Sequence, residues 1–383
     1  MYELPGVDGD CSTGSDNVLK YVPLTASATD QPGVFPSGLR INGAGVVYNF
    51  STGQASHAFL LDEANANALK IVNLTTFAVT TIQANVGYVE IVAQDTSDRV
   101  FLMSATFGPV NTRSLYLYTI STNTLTPLLT GTSDLLCGGD TCSDGASLFI
   151  AEAAGKVYRV PLSATSSANV TTILNGATRI QEVALTANRV FLVTDVGVSG
   201  STNNGLISLP KAGGATTSHV TPGGDIIVRL FTTNNAVFFS RFIANTATII
   251  AEDGVTIAGP LSGRWLGSLD SPSFSLRVQS PPIVKMALLT GLFSPGTPVL
   301  IYDAASPAGV PPVAMGGLPA TSSPIDLSFL GVNAFAGILD NAMLGITPLT
   351  GSSNSAVFFM DTTIPNSLVL VPTPTGSWSP EIF

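Results

Sequence analysis

Short apolar runs, each entered through a small polar turn, recur along the chain. SHAFLL begins at Ser56, DRVFLM at Asp98, ASLFIA at Ala146, NRVFLV at Asn188 and NAVFFS at Asn235, with weaker copies VKMALL at Val284 and NAFAGI at Asn333. Aligned on Ala58, Val100, Leu148, Val190, Val237, Ala287 and Phe335, the copies are spaced by 42, 48, 42, 47, 50 and 48 residues. The runs are too short and too rich in β-formers to carry a 3.6-residue helical period, so each predicts a buried strand. A strand precedes several copies, as in YVEIVAQ from Tyr88, IQEVALT from Ile180, IIVRLF from Ile226 and IDLSFL from Ile325. A third follows, as in ALKIVNL from Ala68, SLYLYTI from Ser114, KVYRVPL from Lys156 and VLIYDAA from Val299. A shorter fourth strand ends in a turn, as in LTPLLTG from Leu125 and NVTTILNG from Asn169.

A period in the forties made only of strands is the signature of four-stranded propeller blades. The expected fold is all-β: a seven-bladed β-propeller of antiparallel blades over residues 44–375, with eight blades as the alternative. Residues 1–43 form an N-terminal segment. Within it, VLKYVPLT from Val18 echoes KVYRVPLS from Lys156 and is expected to help close the ring, which would remove exposed strand edges. Residues 376–383 are a tail that holds Trp378. Glycine pairs at Gly138-Gly139, Gly213-Gly214, Gly223-Gly224 and Gly316-Gly317 read as turns, since none opens a strand-to-helix phosphate loop.

The repeats resemble those of secreted bacterial β-propeller proteins, including periplasmic and lipoprotein types, whose blades end in a leucine-proline strand and a glycine turn. LISLPKAGG from Leu206 carries that pattern here. The resemblance covers nearly all of the chain. It implies an architecture and transfers no activity.

Composition narrows the function classes. The chain of 383 residues is 45% hydrophobic but only 10% charged, with a net charge of −10. Ser, Thr, Asn and Gly take the place of surface Lys and Glu, which suits an extracytoplasmic all-β protein. The acidic balance would repel a phosphate backbone, so nucleic acid is not an expected partner. No apolar run approaches the ~18 residues a membrane-spanning helix needs. Met1-Tyr2-Glu3-Leu4-Pro5 lacks the basic start and apolar core of a signal peptide and reads as a mature region with a start Met added.

Four groups of residues could carry chemistry. Asp8, Asp10, Ser12 and Asp16 stand at the first, third, fifth and ninth places of an EF-hand-like loop, which makes calcium the candidate cofactor, although Thr13 and Leu19 depart from that motif. Cys137 and Cys142, separated by a glycine-containing stretch, are the expected disulfide, and Cys11 is left over. Glu90, Glu182, Arg229, Arg277 and Asp326 fall on or beside first strands and are expected to line a central channel. The two histidines complete the list, His57 on a repeat strand and His219 beside a predicted turn; with no G-x-S-x-G elbow, a serine hydrolase is disfavoured. Sequons at Asn49, Asn73 and Asn169 match N-x-[ST], a common coincidence in a chain this rich in Ser and Thr.

The functional expectation is a non-catalytic binding propeller outside the cytoplasm that holds a protein or a glycan. Two alternatives belong to other classes. One is a metal-dependent hydrolase or lactonase using Glu90, Glu182 and Asp326 at the channel. The other is a structural surface or filament subunit joined by strand addition.

Overall fold

The structure is a computed structural model. It describes residues 41–52, 55–62, 65–106, 113–130, 134–137, 142–176, 178–195 and 204–270, together with strand residues 2–4, 18–20, 283–289, 299–303, 313–315, 335–339, 342–348, 355–361 and 369–372. The fold is all-β; the described residues add only short helical turns such as Ser167–Asn169.

β1 (Tyr2–Leu4) pairs with β2 (Val18–Lys20) in a two-stranded sheet of its own. From Ile41 onward the chain uses its strands four at a time, each sheet antiparallel and ordered as in the sequence. The first sheet is β3 (Ile41–Tyr48), β4 (Ala55–Asp62), β5 (Ala68–Asn73) and β6 (Val79–Gln83). The second is β7 (Val86–Gln94), β8 (Arg99–Thr106), β9 (Ser114–Thr119) and β10 (Thr124–Leu129). The third is β11 (Leu135–Leu136), β12 (Ser147–Glu152), β13 (Lys156–Pro161) and β14 (Thr171–Asn175). The fourth is β15 (Arg179–Leu185), β16 (Arg189–Asp195), β17 (Asn204–Pro210) and β18 (Thr217–Val220). The fifth is β19 (Ile227–Thr232), β20 (Ala236–Arg241), β21 (Thr246–Ala251) and β22 (Thr256–Ser262). Strand pairing adds β23 (Arg264–Asp270), β24 (Ile283–Leu289), β25 (Val299–Asp303) and β26 (Val313–Met315), then β27 (Phe335–Leu339), β28 (Ala342–Pro348), β29 (Ser355–Asp361) and β30 (Val369–Pro372). Two compact units divide the chain: Met1–Ala177 holds the first three sheets, and Thr178–Phe274 with Pro281–Ile382 holds the rest.

The recurring apolar runs are the second strands of the first six sheets. In the first five sheets these strands are buried along most of their length, with both faces covered, which is why the sequence shows a continuous run rather than alternation. In the second sheet, Val100 and Leu102 pack with Phe59, Leu61 and Ile71 of the first. Phe101 and Met103, on the opposite face, pack with Leu148, Ile150 and Val160 of the third. In the other unit, Phe191, Val193 and Leu206 of the fourth sheet meet Leu230, Phe239 and Ile250 of the fifth. The ring of Tyr118 meets Phe59 edge-on at 5.4 Å. Gly45 permits the first two sheets to approach, since a Cβ there would lie 2.6 Å from Ile91 Cδ1.

The residue that opens each of the first five copies has a repeated structural task. Its carbonyl accepts a hydrogen bond from the backbone N–H just after the third strand: Leu74 to Ser56, Ile120 to Asp98 and Leu162 to Ala146 at 2.9 Å, Lys211 to Asn188 at 3.0 Å, and Glu252 to Asn235 at 3.1 Å. Five sheets thus close the same turn in the same way, satisfying backbone groups at the strand ends.

Outer strands are a different chemistry. β14 (TTILN) and β18 (TSHV) are exposed or half-buried throughout, and Thr, Ser and Asn hold their exposed positions. In each of the first five sheets the third-to-fourth pairing is broken by a bulge, and Pro127 and Pro260 sit on outer strands. Bulges and prolines on an edge discourage pairing with another chain.

One expectation needs correction. The copy at Asn333 was expected to be a second strand, but β27 opens its sheet and β28 takes the second place. The Leu339↔Ala342 pairing leaves only Asp340 and Asn341 between them, so two adjacent apolar runs form a hairpin where the period predicted one strand. Val18–Lys20 pairs with Tyr2–Leu4 and, among the described residues, with no four-stranded sheet. The IDLSFL segment from Ile325 lies outside the described residues.

Candidate functional site

Register, rather than sequence spacing, relates the expected channel residues. Glu90 pairs with Met103, Glu182 with Val193 and Arg229 with Ser240. Each partner stands two residues beyond the repeat phenylalanine, Phe101, Phe191 or Phe238, so the three charged residues occupy equivalent places in their sheets. The first strands are bulged nearby, with register shifts between Val86 and Tyr88, Ile180 and Glu182, and Ile227 and Arg229. A bulge re-aims side chains locally and is common beside functional sites. Glu90 and Glu182 are half-buried, at the limits of apolar faces. Only the strand position of Arg229 is described. Arg277, Asp326 and the loop of Asp8, Asp10, Ser12 and Asp16 lie outside the described residues, as do Cys11 and Trp378.

The end of each sheet where second strands finish is rich in paired charge. Fully buried Asp62 receives Lys70 Nζ and Asn65 Nδ2. Arg113 grips Asp134 with Nε and Nη2, both at 2.7 Å, and those hydrogen bonds hold the Asp134 carboxyl below its usual range. Glu152 accepts from Tyr158 Oη at 2.8 Å and lies 3.7 Å from Lys156 Nζ. In the fourth sheet, Asp195 Oδ2 accepts from Gln181 Nε2 at 2.9 Å, and Gln181 Oε1 accepts from Asn204 Nδ2. Among the described residues, Asn204 Oδ1 is buried with no hydrogen-bond partner. Such an orphan acceptor is uncommon and costs about 1–3 kcal/mol unless a donor arrives. Gln181, in this relay, is the immediate neighbour of Glu182.

Cys137 and Cys142 form a disulfide with Cα atoms 5.4 Å apart, between β11 and β12 where it was expected. Gly213 and Gly214 sit in the turn before β18 with φ of +88° and +125°, as the turn reading requires.

The histidines are both structurally engaged. His57 lies on β4 as expected, between Ser56 Oγ at 3.1 Å and Asn73 Nδ2 at 3.4 Å. His219 was placed beside a turn but stands on β18. Its Nε2 is 2.6 Å from Ser208 Oγ, its ring stacks on Phe191 at 5.1 Å, and Arg189 Nε donates to the same Ser208 oxygen at 2.8 Å. Because Ser208 is fully buried, this serine–histidine contact is a packing brace rather than an exposed nucleophile. Burial lowers both histidine pKa values from 6.5; Arg189 adds to the shift at His219, while Asp98 and Asp253 oppose it at His57 and His219 respectively.

A stability prediction follows with its sign. Above pH 6.5 both histidines are neutral in either state, and as pH falls through that value the unfolded chain takes up protons first, so stability is lost. The urea midpoint is expected to fall between about pH 7.5 and 5.5, with a shallower fall in a His57→Gln/His219→Gln variant. A wild-type midpoint flat across this window would contradict the neutral assignment.

His219 also borders a cleft of ≈ 420 Å³ between the fourth and fifth sheets. Its walls include Val220, Phe239 and Ile250, with Arg241 and Thr246 among the polar lining. Sequence reasoning missed this cleft, because its lining comes from separate strands that only sheet packing brings together.

No protein-family model matches the sequence, and no curated protein resembles it in sequence. Solved structures do resemble it in shape. A dipeptidyl peptidase 4 from Porphyromonas gingivalis matches with a TM-score of 0.51 at 13% identity, over 87% of this chain and 53% of that one. The fold is a β-propeller. An oligogalacturonate lyase in complex with manganese gives a TM-score of 0.49 at 12% identity over 84% of each chain. Hsv2 from Kluyveromyces lactis gives 0.45 at 10% identity over 86% and 98%. The propeller spans about half the length of the prolyl endopeptidases it matches, 49%. At these identities the likeness concerns the fold alone.

Proposed function

We propose that this chain is an extracytoplasmic, non-catalytic propeller that holds a protein or glycan at the charged end of its blades. The observation that carries the reading is the register equivalence of Glu90, Glu182 and Arg229 on bulged first strands. A charge recurs at that place in the second, fourth and fifth sheets, and Arg277 and Asp326 are assigned to the same place in theirs. The orphan Asn204 Oδ1 supports a ligand-facing role for that end of the fourth sheet.

In this reading seven blades make one ring, with residues 1–43 at its seam, and calcium at Asp8, Asp10, Ser12 and Asp16 has a structural part. The Cys137–Cys142 disulfide supports an oxidising compartment. The buried Ser208–His219 pair speaks against serine hydrolysis, and the bulged, proline-bearing edges speak against assembly by strand addition.

A glycan array and a panel of purified surface proteins, read with wild type and a Glu90→Gln/Glu182→Gln variant, test the proposal. The expected result is a saturable ligand, recovered chemically unchanged, whose binding weakens about 10-fold or more in the variant. A ligand cleaved in an EDTA-sensitive manner would replace this reading with the metal-dependent hydrolase.

A further inference from the structure

We infer that the cleft between the fourth and fifth sheets binds a small organic carboxylate with an apolar body. This site is separate from the charged blade ends and does not depend on them.

The recognition element is Arg241, the last residue of β20, which lines the cleft half-buried. Among the described residues no hydrogen bond or ion pair engages its guanidinium. The nearby Asp225 carboxylate feels its charge but makes no hydrogen bond or ion pair with it among the described residues. Asp225 is occupied by the backbone N–H groups of Ile226, Ile243 and Ala244, at 2.8, 2.7 and 3.1 Å. Those amides fix the β20–β21 turn, and with it the base from which Arg241 projects. Thr246 pairs directly opposite Arg241 and also lines the cleft, so a hydroxyl stands beside the guanidinium fork. A planar fork with an adjacent hydroxyl suits a carboxylate, which accepts two parallel hydrogen bonds.

The remainder of the cleft selects an apolar body. Phe239 and Ile250 line it from the fifth sheet and Val220 from the fourth. The large exposed hydrophobics among the described residues are sequence neighbours of its lining. Phe242 (48% exposed) and Ile243 (60%) lie between lining residues Arg241 and Ala244, and Val255 (63%) between Gly254 and Thr256. His219 supplies a fixed wall: it is braced by Ser208 and Phe191, and it packs so closely on Gly254 that a Cβ there would clash with its Nδ1. A volume of ≈ 420 Å³ accommodates a ligand of about a dozen heavy atoms.

The test titrates the full chain near pH 7.5 with 3-phenylpropionate, its neutral counterpart 3-phenylpropan-1-ol, and acetate, by ligand-observed NMR and calorimetry. The expected result is saturable binding of 3-phenylpropionate, with the alcohol and acetate each about 10-fold weaker or more. Arg241→Gln should cost a similar factor and Thr246→Val a smaller one, while Lys211→Gln, outside the cleft lining, should leave binding unchanged. Unfolding midpoints verify that each variant is folded; if Arg241→Gln is not, the wild-type comparison of acid with alcohol and the Thr246→Val titration decide alone. The inference is overturned by no saturable 3-phenylpropionate binding up to about 10 mM, by equal affinity for the alcohol, or by unchanged binding in folded Arg241→Gln.

Discussion

Replacing Phe101 by alanine is expected to lower stability by about 3–5 kcal/mol, a large share of what a typical domain possesses. Phe101 is fully buried on β8, on the face that meets Leu148 and Ile150 of the third sheet. Truncation removes apolar area and leaves a cavity that two flanking sheets, held by their own hydrogen-bond ladders, cannot collapse into. The contrasting variant is Phe242→Ala. That ring is 48% exposed, and its loss should change stability by no more than about 0.5 kcal/mol. Urea denaturation of both variants checks the pair, and comparable losses would show that the repeat phenylalanine is not an inter-sheet anchor.

The second large effect concerns a buried charge. Asp62 is inaccessible to solvent, and its carboxylate is held by Lys70 Nζ and Asn65 Nδ2. Lys70→Met keeps the length of the side chain but takes away the cation that faces a buried anion. The cost expected is about 3–5 kcal/mol, because an uncompensated buried charge is far worse than a missing pair. The double variant Asp62→Asn/Lys70→Met should therefore be markedly more stable than Lys70→Met alone. Equal stability of the single and double variants would mean that the carboxylate is not desolvated as described.

Both predictions rest on features of unequal visibility in the sequence. The second strands were legible because double-sided burial writes an unbroken apolar run, and five of their opening residues, from Ser56 to Asn235, share one backbone hydrogen bond. The hydroxyl-rich outer strands were likewise foreshadowed by the low charge content. Bulges were not legible: a single extra residue such as Gln181, exposed on β15, looks like any other polar strand position. The run at Phe335 misled for a related reason. Two short apolar segments joined by Asp340 and Asn341 look like one repeat strand with a turn, and only pairing shows which is first.

The functional residues divide along the same line. Glu90, Glu182 and Arg229 could be picked out by residue type, but their equivalence needed the register. The cleft at Arg241 was invisible for a stronger reason, since it depends on the packing of β18 against the fifth sheet. Nothing local in the sequence states that packing.

The most direct measurement is an experimental density map of the full chain at side-chain resolution. It should show successive four-stranded antiparallel sheets in chain order, with Phe101 of the second sheet against Leu148 of the third and Phe191 of the fourth against Phe239 of the fifth. Sheets assembled from strands distant in sequence, as in a two-layer sandwich, would contradict the account at its foundation.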